Sequence, residues 1–75
     1  MSRLKEKLKE LGYRIYMETT LYTSKIVVTK TYIKSIDDDN FNLITIRDNK
    51  IIDYDGLISE MKKDLEVLKE YDLSS

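Results

Sequence analysis

The residues of this 75-residue chain best suited to chemistry are carboxylates: Asp37-Asp38-Asp39, followed by Asn40, and the pair Asp53 and Asp55 around Tyr54. Clustered carboxylates can hold a divalent cation or meet a basic surface. A calcium loop needs oxygen ligands at alternating positions, a glycine for its sharp turn and a bidentate Glu at its twelfth position. The 37–40 stretch has adjacent acids, no glycine and no such Glu. It reads as a charged turn, with Asp37, Asp38 and Asp39 as candidate contacts for a basic partner. Asp53 or Asp55 falls where the following helix needs an N-cap, which accounts for the D-x-D spacing better than a metal does.

Other catalytic chemistry has few carriers. The chain has no histidine and no cysteine. The commonest general base, thiolate ligands and disulfides are therefore missing. The two glycines, Gly12 and Gly56, are too few for a glycine-rich phosphate loop. We expect no catalytic residue, no metal and no cofactor, hence a non-enzymatic protein.

The elements that position these residues follow from periodicity. Leu4, Leu8 and Leu11 recur at helical spacing over residues 2–11, with Ser2 as N-cap and Gly12 as the left-handed residue after the C-cap. Tyr13, Ile15 and Met17 alternate with Arg14, Tyr16 and Glu18, a half-buried strand with Ile15 and Met17 facing the core. A loop is expected at residues 19–24. "KIVVTKTYIKSI" is the strongest strand signal, and "FNLITIR" is a further strand. Asp48-Asn49 suits a hairpin turn, and "KIID" a short edge strand. Leu57, Met61, Leu65 and Leu68, widened by Ile58, mark a final helix. The expectation is a single α+β domain of α-β-β-β-α order. An antiparallel three- or four-stranded sheet carries both helices packed on one face.

Such a sheet leaves its other face open. Strand two turns out either Val27 and Ile33 or Ile26, Val28 and Tyr32, because both its faces are apolar. An apolar, tyrosine-bearing open face marks an interaction surface. Tyr16, Val27 and Tyr32 are its candidate partner-binding residues, alongside the three aspartates. Homodimerisation through the sheet is one expectation and docking on a host protein another.

Charge is polarised along the chain. Residues 1–36 carry eight Lys/Arg against three acids, and residues 37–75 carry five against eleven. Tyrosines among Arg14, Lys25, Lys30 and Lys34 could stack bases and neutralise phosphates, which makes nucleic-acid binding the alternative function. No apolar run reaches the length of a membrane span, and "MSRLKEKLKELG" lacks the apolar core of a signal peptide, so a cytoplasmic protein is expected.

Two resemblances concern element order. Helix, three strands, helix is similar to the double-stranded RNA-binding domain, but here the second helix opens on the acidic "DYDGLISE" instead of a lysine cluster. In size and order the chain also resembles small phage-encoded anti-CRISPR inhibitors of type II effectors. That likeness implies a phage or mobile-element protein that binds and inhibits a host protein in the host cytoplasm, with Asp37, Asp38 and Asp39 as the matching acidic positions. The lack of alanine and proline fits a natural low-GC genome.

Overall fold

The computed structural model describes residues 3–71. Helix α1 (Arg3–Glu10) leads into four antiparallel strands: β1 (Arg14–Tyr22), β2 (Ile26–Ser35), β3 (Phe41–Arg47) and β4 (Lys50–Asp55). Helix α2 (Ile58–Leu68) follows and ends in a 3-10 turn, Lys69–Tyr71. The strands form one sheet in sequence order, a meander in which each strand pairs with its successor. The α+β class and the element order match expectation, and the sheet has four strands. Ser2 lies outside the described residues.

Local signals explain the joints. Gly12 has φ 99°, its N–H donates to the Lys9 carbonyl at 3.0 Å, and the Tyr13 N–H donates to the Leu8 carbonyl at 2.9 Å. These two bonds make a Schellman motif, and Leu8 and Tyr13 both enter the core. Asp48 and Asn49 sit at φ 53° and 60°, so the β3–β4 hairpin closes on two left-handed residues. The expected 19–24 loop is much shorter. Strand β1 runs on to Tyr22, and the turn is closed by the Thr23 N–H and hydroxyl, both donating to the Lys25 carbonyl at 3.2 Å.

The core joins Leu4 and Leu8 of α1, Tyr13, Tyr32, Ile44 and Ile46 of the sheet side, and Met61 and Leu68 of α2. Tyr32 and Ile44 are register partners, so one sheet face supplies the strand contribution. Ile15 and Met17 do not join them, and both are about half exposed. For Met17 the reason is a β-bulge: Ile15, on the core side at the sheet edge, pairs with Tyr32 but Met17 with Thr31, which leaves Tyr16 as an extra residue. The bulge turns Met17 to the far face, because a one-residue shift swaps faces. Ile58 is also exposed, outside the α2 stripe.

A buried polar network crosses this core. Tyr13 donates its hydroxyl to Asp64 Oδ2 at 2.7 Å, and Lys34 Nζ reaches the same oxygen at 3.1 Å. Asn42, fully buried, donates to the Tyr13 hydroxyl at 3.3 Å and accepts the Leu57 N–H through Oδ1 at 3.2 Å. The Leu57 N–H, just before α2, is thus satisfied from β3. The expected aspartate cap is absent: Leu57 is the N-cap and no side chain caps it. Asp53 and Asp55 stay in β4, exposed. Gly56 permits this closure, with φ 147° and a backbone so near Asn42 that an added Cβ would lie 2.9 Å from the Asn42 Cα.

Candidate functional site

The Asp37–Asn40 turn uses its first aspartate internally. Asp37 Oδ1 accepts the backbone N–H groups of Asp39 and Asn40, both at 2.9 Å, and the Asn40 side-chain amide at 2.9 Å. The Asp39 N–H, the Asn40 amide and the Asn40 N–H hold the Asp37 carboxyl below the usual carboxylate range. Asp37 is therefore the structural residue of the turn. Asp38 and Asp39 are exposed. Among the described residues no three acidic side chains converge where they could hold a metal ion.

The sheet face opposite the core is laid out by register. Across β1, β2, β3 and β4 the rows are Arg14–Ile33–Leu43–Asp55, then Met17–Thr31–Thr45–Asp53, then Thr19–Thr29–Arg47–Lys50. Leu21–Val27 and Ser35–Phe41 extend it at the two ends. Met17, Leu21 and Phe41 are about half exposed, and Val27, Ile33 and Leu43 are partly buried between their neighbours. Threonine hydroxyls find partners within the face: Thr31 and Thr45 lie 3.2 Å apart, and Arg47 Nε donates to Thr29 Oγ1 at 3.1 Å. The result is an apolar and hydroxyl-bearing centre, with Arg14 on the β1 edge and Asp53 and Asp55 on the β4 edge. Among the described residues none of these three has an ion-pair partner.

The sequence-derived partner set splits on this map. Val27 is on the far face, and Tyr16 is 59% exposed at the bulge. Tyr32 belongs to the core at 5% exposure, so it leaves the surface set. Its register partner Ile44 is also in the core, and burial raises the Tyr32 hydroxyl above its ordinary pKa. Met17 was missed, having been expected in the core, and Ile33, Leu43 and Phe41 stood only as one of two alternatives for their strands. Their alternation was visible, but the sign of the face was not.

The basic set also disperses. Arg14 shares the far face with Ile33, Lys25 sits in the β1–β2 turn, and Lys30 and Lys34 project on the core side. Lys34 is committed to Asp64 and lies 5.5 Å from the Tyr13 ring centre. Lys30 instead lies beside Lys5 of α1, and its ammonium pushes the Lys5 pKa down. That pair borders a groove of about 360 Å³ that Glu18 and Asp48 also line, so its charge is mixed. Arg14, Lys25, Lys30 and Lys34 do not form one cationic surface.

No helix among the described residues is long and apolar enough to cross a membrane. No family model, curated protein or solved structure matches this chain.

Proposed function

We propose that this chain is a non-enzymatic interaction module that docks on a protein partner through the sheet face bearing Met17, Val27, Ile33, Phe41 and Leu43. The proposal places both helices on the opposite face, supported by the single core that α1, α2, Tyr32, Ile44 and Ile46 share. The observation that carries it is a four-stranded face whose apolar residues Met17 and Phe41 stay about half exposed and whose Val27, Ile33 and Leu43 are only partly buried. Such surfaces are partner sites in soluble domains. Asp38 and Asp39 add an acidic contact at one end of the molecule. The likeness in size and element order to anti-CRISPR inhibitors makes a host protein with a basic surface one class of partner, and inhibition its consequence.

Capture from host lysate with wild-type chain, Leu43→Lys and Asp38→Lys/Asp39→Lys in parallel tests this. A stoichiometric protein held by wild type and lost with Leu43→Lys is expected. Retention of that protein by Leu43→Lys overturns the sheet-face reading. The nucleic-acid alternative draws on the Lys5–Lys30 pair. A band shift at low salt that weakens steeply with added salt is its signature, and no shift with DNA or RNA at low salt removes it.

A further inference from the structure

From the charge pattern of the far face we infer that its occupant is a second copy of this chain, docked face to face about a two-fold axis parallel to the strands. The inference rests on the docking role proposed for this face and names the partner. Rotation about that axis exchanges left and right across the sheet and keeps each row at its own height. Strand β1 of one copy then covers β4 of the other, and β2 covers β3. Arg14 of each copy meets Asp55 of the other, twice by symmetry, because both belong to the row Arg14–Ile33–Leu43–Asp55. In the same row Ile33 packs on Leu43 of the second copy. In the next row Thr31 meets Thr45.

The perpendicular axis does worse. Centred on the Thr31–Thr45 row, it sets Asp53 over Asp53 of the other copy and lays Arg47 over Leu43, whereas the parallel axis has one polarity mismatch, Met17 over Asp53, and no like-charge pair. Like charges or mismatched polarity across an interface disfavour it, whereas opposite charges at the rim steer and fix register. Aligned packing of two sheets is a standard solution for twisted sheets. Edge-to-edge pairing is the other route to a dimer. Both edge strands oppose it with a bulge, at Ile15/Met17 in β1 and opposite Thr45/Ile46 in β4.

Light scattering on eluted wild-type chain across concentration, with Arg14→Asp, Asp55→Arg and Leu43→Lys variants, tests the arrangement. Wild type is expected as a dimer. Each charge variant opposes itself, with Asp against Asp55 or Arg against Arg14, and should dimerise roughly tenfold or more weakly. An equimolar mixture of the Arg14→Asp and Asp55→Arg chains should recover dimer, because both contacts then pair opposite charges. Within one chain these residues lie three strand spacings apart, about 14 Å, so rescue reports contact between copies. Unchanged circular dichroism shows that the variants fold. A wild-type monomer at about 100 μM overturns the inference, while lysate capture still decides the docking role. A dimer lost with Leu43→Lys but indifferent to both charge reversals overturns the axis. A dimer that survives all variants overturns the face.

Discussion

The two faces of this sheet use similar amounts of β-branched residue and do opposite things with them. On the core face, Tyr32, Ile44 and Ile46 are nearly inaccessible, and the polar atoms among them are tied into one network that spans α1's exit, β2, β3 and α2. On the far face, Met17, Ile33, Phe41 and Leu43 stay partly open, threonines satisfy one another locally, and charges at the two edges have no ion-pair partner among the described residues. Long-range polar contacts fix one arrangement of the helices. Short-range contacts on the far face leave its apolar groups partly exposed. The difference separates residues that specify the fold from residues that the proposed docking would use.

Adjacent residues of β3 provide the sharpest way to break that comparison. Ile44 is fully buried, and Ile44→Ala should cost about 2–5 kcal/mol. A domain of this length has roughly 4–10 kcal/mol in total, so the variant should be partly unfolded at room temperature. Leu43→Ala, one position away and on the other face, should cost under about 1 kcal/mol in dilute solution. Urea denaturation of both variants measures the gap. Equal losses at low concentration would erase the distinction between the faces. A Leu43→Ala loss that grows with protein concentration would sharpen it, because stability then includes association.

A second contrast sets a buried carboxylate against an exposed one. Asp64→Asn keeps an acceptor for the Tyr13 hydroxyl but leaves the Lys34 ammonium without its partner. Lys34 retains 23% side-chain exposure, so water screens part of that loss. The expected cost is about 1–2 kcal/mol. Asp53→Asn, on the far face, should change stability by no more than about 0.5 kcal/mol. Thermal unfolding of the two variants side by side decides it, and a larger effect at Asp53 would assign that residue a role in folding.

Much of the core face was legible in the sequence. The leucine spacing of α1, Gly12 after it, the Asp48-Asn49 turn and the Met61, Leu65, Leu68 stripe all depend on neighbours within one or two turns. What was not legible depends on distant partners. Asp64 stands in the middle of the α2 stripe, three residues after Met61 and four before Leu68, and only Tyr13, 51 residues away, and Lys34, 30 residues away, explain it. Asn42 alternates with Ile44 and Ile46 like a core residue, yet its amide bonds the Tyr13 hydroxyl and the Leu57 N–H from other elements. The orientation of β1 turned on a bulge that no glycine or proline marks. Because one inserted residue exchanges faces, that bulge placed Met17 on the far side, and the ambiguity of β2 made Tyr32 a surface candidate.

The third contrast is in titration, and it belongs to the core face. Burial, then the bond to Asp64, push the Tyr13 hydroxyl well above its ordinary pKa, and burial raises Tyr32 in the same direction. In the unfolded chain both release their protons near pH 10. Above that pH the folded state holds protons that the unfolded state has lost, so stability must fall as pH rises. The contribution is intact below about pH 10 and disappears as the folded groups begin to titrate. Each group can steepen the fall by up to about 1.4 kcal/mol per pH unit. Denaturation of wild type and Tyr13→Phe at intervals from pH 8.5 to about 11 reads the slope directly, apart from any loss of hydrogen bonds at neutral pH. Tyr13→Phe should lower the slope by up to one group's share and leave the remainder to Tyr32. An identical slope in the two proteins would mean that Tyr13 ionises as readily folded as unfolded, and the buried network would then not be what protects that face.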